Sequence, residues 1–219
     1  MPQADISTAT NNTDNICDAI DCSYNSDAEH TILINNLYHN NTNFTINKIR
    51  PYICYGNNFI KTSKINISDT IPEYSFAYCE NIKSTDITAK GIDQYAIYNC
   101  SRLDSVSLNE GLLKIDNNAF EGCSKLKNIS IPNSVKTLGE YSFSKCTSLK
   151  NINLGTGISV IHNYTLKNCT SLNSITIPKS IMSITDNVFV GCTLLSDVIF
   201  SDRNSTLTLG SNGTNPLFS

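Results

Sequence analysis

The chain has 219 residues, of which 40% are apolar and only 16% charged, with a formal net charge of −3 and an isoelectric point near 5.5. This balance argues against nucleic acid as a main partner, because nucleic-acid binding normally requires a basic face. No apolar run approaches the roughly 18 residues that a bilayer-spanning helix needs. The polar residues 1–14 show no apolar core of a signal peptide, so neither membrane insertion nor a signal peptide is predicted.

Residues 1–30 are polar and are interpreted as an N-terminal tail or cap segment. Cys17 and Cys22 lie here, and two interpretations stay open: two ordinary thiols, or a local disulfide in an oxidising compartment. A structural zinc site is not expected, because a lone pair of cysteines lacks the four ligands that zinc takes. Residues 31–70 contain short β-branched pieces typical of strands and are interpreted as degenerate N-terminal capping repeats.

Residues 71–200 contain a regular repeat of about 23 residues, marked by a cysteine. An apolar residue precedes each cysteine by three places and, from Cys100 on, a leucine follows it by three places. The marker cysteines are Cys79, Cys100, Cys123, Cys146, Cys169 and Cys192.

Each repeat has the spacing of one short strand with one buried face. In the best copy Leu126, Ile129 and Ile131 follow the pattern L-x-x-L-x-L, and Pro132 ends the strand because it cannot donate to a ladder. Residues 119–123 are too short for an independent helix, so we expect a helical turn on the opposite side. The predicted fold is an α/β leucine-rich-repeat solenoid, with a curved parallel β-sheet on the concave side and short helical turns and loops on the convex side.

Residues 201–219 break the phase of the repeat and are interpreted as an incomplete C-terminal repeat. Apolar residues occupy what would be its inward positions. They are Leu207, Leu209, Leu217 and Phe218.

The best copy resembles the BspA-like leucine-rich repeats of bacterial and protist surface proteins. The resemblance is carried by Ala119-Phe120-x-x-Cys123-x-x-Leu126-x-x-Ile129-x-Ile131-Pro132-x-Ser134-Val135-x-x-Leu138. Two positions depart from it: Ile97 replaces the aromatic residue before Cys100, and Gly155 stands in the place of Pro132. The resemblance implies a surface protein of the adhesin type that binds a host matrix or cell-surface component.

The cysteine column has three possible interpretations: buried apolar thiols, disulfides between neighbouring rungs, and a metal column. Buried thiols are favoured, since parallel side-chain vectors suit a disulfide poorly and a single line of sulfurs cannot surround an ion tetrahedrally. A Cys169/His162 dyad is disfavoured because Cys169 is expected to point into the core, where a nucleophile is unreachable. No catalytic, metal or cofactor site is therefore predicted.

The outward positions of the predicted strands form a grid of small polar groups, which is the candidate binding face. Lys127 and Lys150 are expected to be neighbours on it. The alternative is that small polar residues simply suit a solvated parallel sheet. The candidate residues are Ser84, Asp86, Asp104, Ser105, Ser107, Lys127, Asn128, Ser130, Lys150, Asn151, Asn153, Asn173, Ser174, Thr176 and Asp197.

The sequence thus predicts a non-catalytic binding or adhesion module that engages a protein or glycan through the polar concave sheet. By resemblance its location is the cell surface or outside the cell. The alternative is an intracellular scaffold for protein–protein interaction, which fits the lack of a visible signal peptide and the reduced thiols.

Overall fold

The computed structural model describes Pro51, Gly56, residues 64–201 and residues 208–209. The predicted tail 1–30 with Cys17 and Cys22, most of the predicted capping repeats 31–70, and most of the C-terminal segment 201–219 lie outside the described residues. Those boundaries stay predictions.

The chain coils into a parallel-strand β-solenoid of about six turns. One strand of each coil joins a first sheet, called the front sheet, which is the sheet predicted to be concave. Its strands are β1 (Lys64–Asn66), β3 (Ser84–Thr88), β5 (Ser105–Leu108), β7 (Asn128–Ser130), β9 (Asn151–Asn153), β11 (Ser174–Ile177) and β13 (Asp197–Phe200).

A second strand of each coil, only two residues long, joins the back sheet. Its strands are β2 (Thr70–Ile71), β4 (Gly91–Ile92), β6 (Lys114–Ile115), β8 (Thr137–Leu138), β10 (Val160–Ile161), β12 (Ser183–Ile184) and β14 (Thr208–Leu209). Because β14 pairs with β12, the repeat continues beyond residue 201.

All pairings in both sheets are parallel and connect equivalent positions of successive coils. The ladders run β1-β3-β5-β7-β9 and β11-β13 in the front sheet, and β2-β4-β6-β8 and β10-β12-β14 in the back sheet. The front sheet is thus interrupted between β9 and β11, and the back sheet between β8 and β10.

The core lies between the two sheets and is built from equivalent slots of successive coils. Phe76, Phe120, Phe143 and Phe189 are almost completely buried, as are the leucines three places after the cysteines from Leu103 to Leu172. The rings of Phe120 and Phe143 stack with centroids 5.3 Å apart. Since no single coil can bury its own apolar side, this shared core is what holds the coils together.

The segment before each cysteine, called the turn segment, has an unusual backbone. Residues five places and one place before each of the six cysteines all have positive φ, for example Tyr141 at 56° and Lys145 at 59°. Positive φ is uncommon outside glycine and asparagine. Here it recurs because alternate amides bond to the next coil: those of Asn118, Phe120 and Gly122 each donate to a carbonyl of the following coil at 2.9 Å.

The predicted helical turns on this side are wrong. No helix occurs among the described residues, and the turn segments are hydrogen-bonded turns. Two positive-φ residues in every segment interrupt right-handed helical geometry. Every second amide of the segment joins the neighbouring coil, and the amides between them bond to the carbonyl three residues back, as in successive turns.

The turn segments also pack by complementary side chains along the solenoid. Tyr74 stacks on Tyr95 at 4.7 Å between ring centroids, and Tyr141 stacks on Tyr164 at 4.6 Å. One place before the cysteines, a Cβ atom on Gly122 would lie 1.8 Å from Asn99 Oδ1. The Asn99 side chain therefore fills the space that glycine leaves in the next coil.

We predict that Gly122→Ala lowers the free energy of unfolding by about 1–3 kcal/mol, because the new methyl group collides with Asn99 in a packed site and alanine is strained at the positive φ of this position. In an Asn99→Gly background the collision is removed, so the same substitution should cost less, and the cost that remains is the backbone strain. Urea denaturation of the four proteins of this double-mutant cycle measures the coupling. Equal costs in both backgrounds would contradict the packing explanation.

Candidate binding face of the solenoid

The front sheet separates apolar from polar side chains by the alternation of its strands. Ile87, Ile129, Ile152 and Ile175 point into the core and are buried. The residues on either side of each isoleucine point outward and form the front face. This alternation is the local reason why every coil presents polar groups on the same side.

The structure places all predicted face residues on the front strands or directly before them. Register aligns a first row, Ser84, Ser105, Asn128 and Asn151, and joins Ser174 to Asp197. A second row contains Asp86 opposite Ser107, Ser130 opposite Asn153, and Thr176 opposite Ile199. Because β9 and β11 are not joined by a ladder, the rows are not continuous across that step.

The residues directly before the strands form a third row. The Lys150 amide donates to the Lys127 carbonyl at 2.8 Å, and the Lys127 amide donates to the Asp104 carbonyl at 3.2 Å. Lys127 and Lys150 therefore are neighbours, as the sequence predicts. The Asn173 carbonyl accepts the Ser196 amide at 2.9 Å in the same manner.

Side-chain interactions on the front face are few and solvent-exposed. Asn151 Nδ2 donates to Asn128 Oδ1 at 2.7 Å. Lys127 Nζ lies 3.7 Å from Asp104 Oδ2, with 57% and 45% of these side chains exposed. An exposed ion pair of this kind contributes about 0–1 kcal/mol. Most polar groups of the face are thus exposed to solvent or held only weakly, as a ligand would require.

A cleft at the edge of the front face was missed by the sequence analysis. It has a volume of about 410 Å³ and is lined by Lys83, Arg102, Asp104, Lys125 and Lys127. Arg102 and Lys125 stand two places after a cysteine, whereas the predicted rows begin four places after it. The sequence signal that could have revealed the cleft is the recurrence of basic residues two or four places after the cysteine in successive repeats.

The cysteine column is buried, as predicted. All six repeat cysteines are free thiols. From Cys100 to Cys192 the thiols donate to carbonyl oxygens of the preceding coil, as from Cys123 Sγ to the Ile97 oxygen at 3.2 Å and from Cys146 Sγ to the Phe120 oxygen at 3.2 Å. Burial raises the pKa of Cys123 to about 12, and burial likewise holds the pKa of Cys169 well above its ordinary value. Such thiols are poor nucleophiles because the thiolate is the reactive form.

The described part of the chain contains no group of three or more His, Cys, Asp or Glu side chains placed to hold a metal ion. It also contains no helix of the length and hydrophobicity needed to cross a membrane.

The strands pair in parallel register, equivalent residues of successive coils form the core, and one face is polar and exposed. Together these features define a leucine-rich-repeat solenoid. A family model described as "BspA type Leucine rich repeat region", in six copies, matches residues 34–124 and 90–212. The chain belongs to this family of repeat proteins, whose members are typically binding modules and generally non-catalytic.

Solved structures of bacterial leucine-rich repeat proteins share the fold. The chain is similar to one from T. pallidum, with 24% identity, a TM-score of 0.62, and coverage of 69% of this chain and 74% of that one. It is also similar to one from Bacteroides ovatus, at 26% identity, TM-score 0.50, and 67% and 44% coverage. A third, from Eubacterium ventriosum, has 18% identity, a TM-score of 0.53, and 64% and 49% coverage.

The chain thus spans about three quarters of the T. pallidum protein and less than half of the other two. No curated protein sequence matches it significantly.

The buried thiols generate a prediction for alkaline pH. Folding raises the pKa of Cys123 from its ordinary value of 9.0 to about 12. The stability that this proton contributes is fully present below pH 9.0 and is lost as the pH rises towards 12. Cys123→Ala should therefore make the alkaline decline of the unfolding free energy less steep than in the wild type.

Urea denaturation over this pH range, under reducing conditions, measures the two slopes. Lysine and tyrosine titration affects both proteins equally, so the difference reports Cys123 together with its Coulombic effect on the raised pKa of Cys100 and Cys146. Parallel slopes for the two proteins would contradict a raised pKa for Cys123.

Proposed function

We propose that the chain is a non-catalytic binding module that engages a protein or glycan ligand through the front face. The observation that carries this proposal is the alignment of exposed hydroxyl, amide and charged groups on successive strands, with few bonds among themselves. A ligand with many polar groups can replace the water on this face without breaking strong internal interactions.

The composition of the face favours an extended ligand with many weak contacts. Between β3 and β11 the front strands carry no aromatic side chain, although aromatic residues and arginine dominate interface hot spots. Affinity would then come from several coils acting together, and a longer array of repeats would raise it further by avidity.

We further propose that the module acts at the cell surface in adhesion. This rests on membership of the BspA-type family and on the resemblance to surface adhesins. The competing function is an intracellular scaffold for protein–protein interaction. The observation that favours the scaffold is that all six repeat cysteines in the described residues are free thiols and need no oxidising compartment.

Surface localisation of the native product distinguishes the two functions. On intact cells, an adhesin is accessible to antibody and is removed by added protease. A scaffold is detected only after permeabilisation, and that result would overturn the adhesion proposal while leaving a binding role intact.

Two arginines at the centre of the face should block binding. We predict that Ser130→Arg/Asn153→Arg weakens binding of a ligand found on an array of matrix proteins and glycans by at least about tenfold, because paired bulky charges occupy the second row. Titration of the purified full chain with that ligand gives the affinity.

The matched control is Thr137→Arg/Ser159→Arg, which adds the same charges at exposed positions on or beside the back sheet. It should bind like the wild type. Equal loss in both double variants would point to a general charge effect, and unchanged binding in the front-face variant would remove the front face from the proposed function.

A further inference from the structure

The edge cleft concentrates positive charge on an otherwise acidic chain. Four of its five lining residues are cations and one is a carboxylate, giving a local formal charge of 4 − 1 = +3. The whole chain has a net charge of −3. Cations collected at one open site on the surface raise the local concentration of anions.

The cations of the cleft are not neutralised by neighbouring side chains. Among the described residues, the ion pairs of the cleft are limited to the long one between Lys127 and Asp104, at 3.7 Å. Arg102 uses one nitrogen to donate to the neutral Asn81 amide oxygen at 3.2 Å. Lys83 and Lys125 are exposed and form no ion pair in this part of the chain.

The cations lie along the axis of the solenoid rather than around one point. Backbone bonds connect Lys83 to Asp104, Asp104 to Lys127, and Lys127 to Lys150 on four successive coils. With about 4.8 Å between neighbouring strands, this basic row of three lysines, with Asp104 in its second place, extends for about 14 Å. A row of this length suits a linear ligand with repeated negative charges better than a single small anion.

Neutral polar groups accompany the basic row on its front-face side. Ser105, Asn128 and Asn151 are exposed and directly follow the third-row residues. Hydroxyl and amide groups of this size hydrogen-bond sugar hydroxyls. Among the described residues no aromatic ring lines the cleft, so these residues do not provide the stacking that single-stranded nucleic acid uses.

We propose that the cleft lined by Lys83, Arg102, Lys125 and Lys127, extended by Lys150, binds a linear anionic glycan that carries sulfate or carboxylate groups along its chain. This inference rests on the proposed binding function and names the ligand class. The anionic groups pair with the lysine and arginine side chains, while the first row of the front face binds the sugar hydroxyls.

The direct test is the triple variant Lys83→Ala/Arg102→Ala/Lys125→Ala in the full chain, titrated with heparin as the probe. Loss of three cations should weaken heparin binding by at least about tenfold. It should also reduce the dependence of log affinity on log salt concentration by about one for each cation removed.

The matched control is Lys90→Ala/Lys136→Ala/Lys179→Ala. These exposed lysines follow their front strands instead of preceding them, so the control removes the same charge away from the cleft. It should bind heparin like the wild type. Lys83→Arg/Lys125→Arg keeps the charge and should retain binding, and circular dichroism verifies that every variant is folded.

Competing ligands define the outcomes that would overturn the proposal. Neutral dextran should not bind, and poly-glutamate and a single-stranded oligonucleotide should bind more weakly than heparin. Equal binding of poly-glutamate would indicate an acidic protein, and equal binding of the oligonucleotide would indicate nucleic acid. Unchanged heparin affinity in the cleft triple variant, or equal weakening in the control, would also reject the proposal.

The second-row variant Ser130→Arg/Asn153→Arg separates this inference from the proposed function. If the cleft triple variant keeps its heparin affinity while the second-row variant loses its array ligand, the glycan site is wrong and the binding face stands. If heparin binding depends on the cleft while the second-row variant binds its array ligand normally, the glycan site stands and the central face is wrong.

Discussion

The bonding of each coil to the next at a constant register is the constraint on which the rest of the molecule depends. Parallel ladders connect equivalent residues in the front and back sheets, and alternate amides of the turn segment connect the coils on the third side. Except where the ladders are interrupted between β9 and β11 and between β8 and β10, a coil is held at three places and cannot slip relative to its neighbour. Equivalent phenylalanine, leucine and cysteine residues of successive coils therefore stack on one another. The same register aligns the polar groups of the front face, so no additional contacts are needed to position them.

Much of this architecture can be predicted from the sequence, because it follows from the period of the apolar residues. The alternation around Ile129 and Ile152 gives the front strands, and the cysteine spacing gives the register between coils. The turn segment could not be predicted in the same way. Tyr141 and Lys145 are not residues that normally adopt positive φ, and only bonds to the neighbouring coil, which no single repeat contains, explain their conformation.

Part of the candidate site can likewise be predicted from the sequence, and part of it cannot. The three rows of the front face follow from counting outward from each cysteine, because strand alternation fixes which side chains are exposed. The edge cleft does not follow, since it combines residues at different offsets from three coils. Whether Lys83, Arg102 and Lys125 meet depends on the path of the chain before the strand, where no simple period applies. The sequence is thus more informative about exposed surface than about the concavities within that surface.

The complementary side chains of the turn segments give the solenoid a longer repeat than the single coil. Five places before the cysteines the order is Tyr, Tyr, Asn and again Tyr, Tyr, Asn. One place before them, the pairs Asn99/Gly122 and Asn168/Gly191 recur three coils apart. Deleting the coil that contains Gly122, for example, would set Asn99 against Lys145, which has a Cβ atom. Adding or removing three consecutive coils preserves the pairing of side chains between neighbouring turn segments. A group of three coils is therefore the unit by which the length of this part of the protein can change.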